Sequence, residues 1–247
     1  MAYNSTNPVF QPKFWNTIQG NLTMSYEGTL QKIGILFGIM TLSSLATISI
    51  GLANPVWIEP MMGIGFFGSV GIYIYLLFTR PANPKNAVLI YALLEGMFIG
   101  PLTLIFEIFY PGIALQACFA TIGVIGAMLT IYSFRIIRPT PTFNKIVYSL
   151  TLSIMFIYLI DYMFYLFAPG LGIPFLHSSG PIGIAVSVVF ISVASMMLIS
   201  NFGSIEAGVR MGAPKQQEWW AGFGILLTVI WLYIEMLRLI AKLRDNR

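Results

Sequence analysis

Between Pro181 and Asn201 the chain reads PIGIAVSVVFISVASMMLISN. The run holds no charged side chain, and a helix of about 20 apolar residues is what crosses the hydrocarbon core of a bilayer. Gly183, Ala185, Ser187, Ser192, Ala194 and Ser195 keep it slender, so neighbouring backbones can come close and a central place in a bundle is expected. Six more runs of this kind lie around it, at 33–53, 58–79, 87–108, 113–134, 146–168 and 219–241. Turn chemistry separates them: Asn54-Pro55, Arg80 to Pro84, Pro111-Gly112, Pro139-Thr140-Pro141, Pro169 to Pro174, Gly180-Pro181 and Gly212-Ala213-Pro214. The reading is an all-α membrane protein, a bundle of seven transmembrane helices over 33–241. A cytoplasmic N-terminal segment (1–32) precedes it, and a short basic tail (242–247) follows.

Composition agrees. The chain is 57% hydrophobic and 9% charged, with a mean hydropathy of +0.81, whereas a soluble domain carries about 25% charged residues. So apolar a surface requires an apolar solvent, and the bilayer is the partner this implies. The net charge of +4 forms no continuous basic face, which argues against nucleic acid. One cysteine, Cys118, excludes an intrachain disulfide, and one histidine, His177, excludes sites built on several histidines. No G-x-S-x-G or H-E-x-x-H motif occurs, and Lys242 lies too near the end of the last span for a retinal pigment. Neither an enzyme nor a cofactor is expected. The first 32 residues do not read as a signal peptide.

Lys and Arg set the expected orientation. The loops at 80–86, 135–145 and 202–218 carry Arg80 and Lys85, then Arg135, Arg138 and Lys145, then Arg210 and Lys215; the loops at 54–57, 109–112 and 169–180 carry none. The N-terminus is therefore expected in the cytoplasm, and the sequons at Asn4 and Asn21 are read as chance. The tail disagrees, because Arg238, Lys242, Arg244 and Arg247 also favour the cytoplasm. Seven crossings are expected, with a re-entrant last segment as the alternative. Trp15, Trp57, Trp219, Trp220, Trp231 and Tyr110 are candidate interface anchors.

An ionisable side chain inside a span costs about 2.5–3.5 kcal/mol on insertion scales, which makes each one a candidate site. Four acids qualify as ion or proton ligands. Glu95 lies about eight residues into the third run, roughly 12 Å from its basic end at ~1.5 Å per residue. Asp161 sits in the fifth run beside Tyr158, Tyr162 and Tyr165. Glu206 is spaced i, i+4 from Arg210, and Glu235 is spaced i, i+3 from Arg238, so both read also as structural ion pairs. Glu59 and Glu107 fall at span ends and read as solvated. His177 is a lone loop histidine.

Three stretches carry a resemblance: LLEGMFIGP (Leu93–Pro101), SMMLISNFGSIEAGVRMGAP (Ser195–Pro214) and LLTVIWLYIEMLRLI (Leu226–Ile240), with NPVF (Asn7–Phe10) near the start. In order and spacing they resemble the Bax inhibitor family, the transmembrane Bax-inhibitor-motif proteins, and in particular its YccA-like bacterial branch. The resemblance implies a bundle with the seventh helix central, in a bacterial inner membrane. It implies either a pH-sensitive calcium or other cation leak linked to stress survival, or a regulator that binds membrane proteins such as a membrane protease. The family's sensor is a pair of aspartates in the sixth and seventh helices; two carboxylates sharing a site cannot both ionise cheaply. Here those positions are Asn201 and Thr228, which do not titrate, and the family arginine beside the pair corresponds to Arg80. A sensor in this chain would have to use Glu95, Asp161, Glu206 or Glu235.

Overall fold

The computed structural model describes residues 23–168 and 172–246, without the side chain of Tyr165. Trp15, the two sequons and Asn7–Phe10 lie outside the described residues. Seven long helices follow one another: α1 (Tyr26–Ala53), α2 (Ile58–Thr79), α3 (Lys85–Phe109), α4 (Ile113–Ser133), α5 (Pro141–Phe167), α6 (Pro181–Arg210) and α7 (Gln217–Asp245). Each is long and apolar enough to cross a membrane. A 3-10 turn at Pro55–Trp57 joins α1 to α2, and a single helical turn at Pro174–His177 precedes α6.

α2 and α4 keep within the apolar segments that announce them, and the other helices extend beyond theirs at one end or both. α1 begins at Tyr26 rather than 33, because Ser25 caps it by accepting the Gly28 amide at 3.0 Å. α6 continues to Arg210 and α7 to Asp245. Apolarity marks the stretch that lies in hydrocarbon. A helix continues into the headgroup layer for as long as its backbone bonds and caps are met, so segments 1–32 and 242–247 each lend a turn or more to the bundle.

α3 and α7 are the inner helices: each buries 56% of its most apolar stretch inside the protein, against 44% for α6 and 11–22% for the other four. α7 is apolar on two sides. Ile225, Val229, Leu232 and Leu237 join a core with Ile113 and Ala117 of α4 and Ala194 and Leu198 of α6. Trp219, Phe223, Leu226 and Ile230 join a second core with Leu36, Leu76, Val88, Ala92 and Ile99 of α1, α2 and α3. α5 is peripheral and packs on α6. Large apolar side chains on the outer helices, such as Leu42, Phe67 and Phe119, stay exposed, as a lipid-facing surface requires.

The two ends of α7 decide between a spanning and a re-entrant last segment. At its start, Met24 donates its amide to the Ala213 carbonyl at 2.7 Å, beside the basic loops. At its finish, the Tyr110 hydroxyl donates to Asp245 at 2.7 Å, and Arg244 donates to the Pro111 carbonyl and to Gln116, both at 2.9 Å. α7 therefore crosses the whole bundle. Among the basic tail residues that disagree with the loop pattern, Lys242 is buried, donating to the Gly183 carbonyl at 3.0 Å and to the Ser187 hydroxyl at 2.9 Å, while Arg247 lies outside the described residues.

Candidate functional site

The inner helix α3 is held very close to α1 and α2. A Cβ on Gly65 of α2 would lie 2.5 Å from the Phe98 amide nitrogen, and one on Gly100 would lie 2.6 Å from the Ser44 carbonyl oxygen. The hydroxyls of Ser43 and Ser44 donate across the same seam to the Leu93 carbonyl at 2.8 Å and the Gly96 carbonyl at 3.3 Å. These contacts place Glu95 in the protein interior with 7% of its surface exposed. The hydroxyls of Ser69 on α2 and Tyr91 one turn earlier on α3 lie beside its carboxyl, and Ser69 donates to the Phe66 carbonyl at 3.1 Å. Tyr91 is itself buried, edge-on to Phe223 of α7 with ring centroids 4.9 Å apart. No Lys or Arg ion-pairs with Glu95 among the described residues. One carboxyl and two hydroxyls offer four oxygens, fewer than the six to eight a calcium ion takes when tightly bound. Among the described residues no three His, Cys, Asp or Glu side chains converge. Such a site suits brief contact with a proton or a partly hydrated cation.

Glu235, only 1% exposed, is more deeply buried than Glu95. The ion pair with Arg238 expected from the i, i+3 spacing does not form. Glu235 instead accepts from the Tyr158 hydroxyl and from the Trp231 indole N–H at 3.3 Å, while Arg238 lies over the Tyr158 ring, 4.7 Å from its centroid. Tyr158 intervenes because α5 presents it to α7, which helical spacing within α7 alone does not reveal. Trp231 is thus a donor inside the bundle. Trp219 is also buried.

Asp161 accepts the Ile173 amide at 3.0 Å and pairs with His177 Nε2 at 2.9 Å, which ties the Pro174–His177 turn to α5. The lone loop histidine therefore has a partner, one supplied only when the chain folds back. Glu206 does form the expected pair with Arg210 and also accepts from Tyr132 of α4. Glu107, expected to be solvated, caps α4 by accepting the amides of Gly112 at 2.5 Å and Ala114 at 3.0 Å.

Asn201 and Thr228 meet. The Asn201 amide donates to the Thr228 hydroxyl at 2.8 Å and to the Gly224 carbonyl at 3.2 Å, and Thr228 donates onward to the same carbonyl at 2.9 Å. Arg80 does not join them. It closes α2 in the left-handed region (φ 39°), is exposed, and its side chain makes no hydrogen bond or ion pair among the described residues.

One buried acid was missed. Glu218, 0% exposed, pairs with Lys32 of α1 at 2.9 Å and accepts from the Ser25 amide at 3.1 Å and hydroxyl at 3.2 Å. Lys32 also faces the Trp219 ring, 5.9 Å from its centroid. The available signal was Glu218 standing directly before two tryptophans, at a helix start where an acid is favoured.

Six apolar helices with a doubly buried seventh, and carboxylates inside, define a multi-pass integral membrane protein of the lipid bilayer. A family model described as Bax inhibitor 1 like matches residues 7–245, and the chain belongs to that family. No curated protein matches the chain.

Proposed function

We propose that this protein is a cation leak of the calcium- or proton-conducting kind, in which Glu95 is the intramembrane carboxylate that a passing ion meets. The observation that carries this reading is the setting of Glu95: buried, beside the hydroxyls of Ser69 and Tyr91, with no basic partner among the described residues. Glu206 and Glu218 each have an ion-pair partner that accounts for them. Glu95 has none, and such a group in a span is costly unless used. Asp161 and Glu235 are secondary candidates as ion or proton ligands. The loop charges favour a cytoplasmic N-terminus, in keeping with the YccA-like branch and a bacterial inner membrane, and we ascribe no enzymatic activity to the chain.

The second reading is a regulator that conducts nothing and binds other membrane proteins. The Asn201–Thr228 bond supports it, since it joins α6 to α7 without a titrating group to release them. Calcium and proton flux in proteoliposomes, per folded protein, separates the two. Glu95→Gln should abolish flux while expression and thermal stability stay near the parent, whereas Glu59→Gln, an exposed acid at the start of α2, should leave flux unchanged. Equal flux in the parent and both variants removes Glu95 from the path. No flux in the parent above empty liposomes favours the regulator.

A further inference from the structure

The basic ends of α4 and α6, with the loop after α4, enclose a cavity of about 720 Å³. Three guanidinium side chains, Arg135, Arg138 and Arg210, face one carboxylate, Glu206, so the cavity carries a surplus of positive charge. Arg210 is engaged with Glu206, which Tyr132 also holds. Arg135 and Arg138 lie within electrostatic reach of Glu206, and neither forms an ion pair among the described residues.

The surrounding backbone fits a built site. A Cβ on Gly203 would press into the Pro139 ring, so only a glycine lets α6 close against this loop. Arg135 stands at φ 60°, a left-handed conformation that residues with side chains rarely adopt and that tends to gather at functional sites. The cavity also lies where two spans end, α4 at Ser133 and α6 at Arg210. Beside the arginines, Phe134, Ile136 and Met211 are 76%, 71% and 75% exposed, which sets its mouth at the boundary of hydrocarbon and headgroups.

We propose that this cavity binds the phosphate group of an anionic glycerophospholipid, with Arg135 and Arg138 as its binding residues. A planar guanidinium presents paired N–H donors that match two phosphate oxygens. The Tyr132–Glu206–Arg210 group forms the fixed wall opposite. Free inorganic phosphate has the same chemistry, but the apolar rim favours a phosphate that carries acyl chains. The chain's own first 22 residues, which lead to Met24 beside Gly208, hold Lys13 and no acid, so their charge does not suit this cavity. The proposal is independent of whether the protein conducts ions.

The test uses the full chain in nanodiscs of phosphatidylcholine with or without phosphatidylglycerol, with co-purified lipid read by native mass spectrometry. The parent should retain phosphatidylglycerol in preference to phosphatidylcholine. Arg135→Gly relieves the left-handed backbone, so it should melt at or above the parent temperature. It should still retain phosphatidylglycerol about tenfold less well, equivalent to about 1.4 kcal/mol. Arg138→Lys keeps the charge but loses the planar fork, and should also lose retention. No preference in the parent, or parent-like retention in both variants, overturns the proposal. Thermal protection by inorganic phosphate in phosphatidylcholine discs, without phosphatidylglycerol preference, overturns the lipid as the source of the phosphate.

Discussion

A Cβ on Gly96 would press into the Met40 carbonyl oxygen and stand 2.7 Å from Ser43 Cβ, whereas one on Gly71 would meet nothing within 4 Å. Gly96→Ala should therefore destabilise the protein by about 1–3 kcal/mol, the range for overpacking. Gly71→Ala should be neutral or stabilising, because alanine is about 0.5–1 kcal/mol better than glycine inside a helix. Thermal melts in detergent or lipid check both, and equal effects would mean the α1–α3 seam is looser than described. The Lys32–Glu218 pair gives a second test. Lys32→Met leaves Glu218 buried with only Ser25 to answer it, at a cost of about 3 kcal/mol, since breaking a buried pair strands the remaining charge. Stability of this variant within 0.5 kcal/mol of the parent, about the spread of an ordinary surface substitution, would show that Glu218 does not depend on Lys32. At this scale the sequence was only partly legible. Glu95 stood out because a long apolar run frames it. Glu218 did not, because its partner lies on α1 and its own neighbours look like a loop. Glu235 was visible, but its partner was misjudged: spacing along one helix says nothing of Tyr158 arriving from another.

Helices were far more legible than partners. All seven runs correspond to helices, since a span must satisfy its own backbone and must be apolar for about 20 residues, and both demands are local. Their ends were less legible, because capping by Ser25 or Thr140 lengthens a helix without adding apolar residues. The α6–α7 seam carries the prediction that belongs to elements. Asn201 and Thr228 bind each other with groups that do not titrate, so varying pH between about 5 and 8, the range of histidine-type switches, should not release this seam. Asn201→Asp combined with Thr228→Asp should create a transition: the two carboxyls share a proton at low pH and repel once both ionise, so the stabilisation is present at low pH and lost as pH rises. Tryptophan fluorescence against pH reads it. A sharp transition in the parent that Asn201→Ala abolishes would contradict this account of the seam.

For the whole molecule, the ends of α7 make topology measurable. Reporters fused after Pro141 and after Gly172 should read opposite sides, and a C-terminal reporter should agree with the one after Gly172, because Arg244 and Asp245 bond to Pro111 and Tyr110 at that end. Agreement of the C-terminal reporter with the Pro141 site would mean the last helix turns back. Lys242→Ala should lower stability by about 1–3 kcal/mol, the cost of leaving buried polar partners unmet, here the Gly183 carbonyl and the Ser187 hydroxyl. The double burial of α7 also bears on how the protein is made. Chains leave the ribosome from the N-terminus, so α1, α2 and α3 reach the bilayer first and close their glycine seams early. The groove between the two cores stays open until α7 has been translated. Until then the nascent protein is six helices around a vacant axis, with Tyr91 and the Gly183 carbonyl waiting for Phe223 and Lys242. A nonsense mutation just before α7 would leave the six preceding helices intact, yet would remove the keystone and deliver an unfinished bundle to membrane quality control.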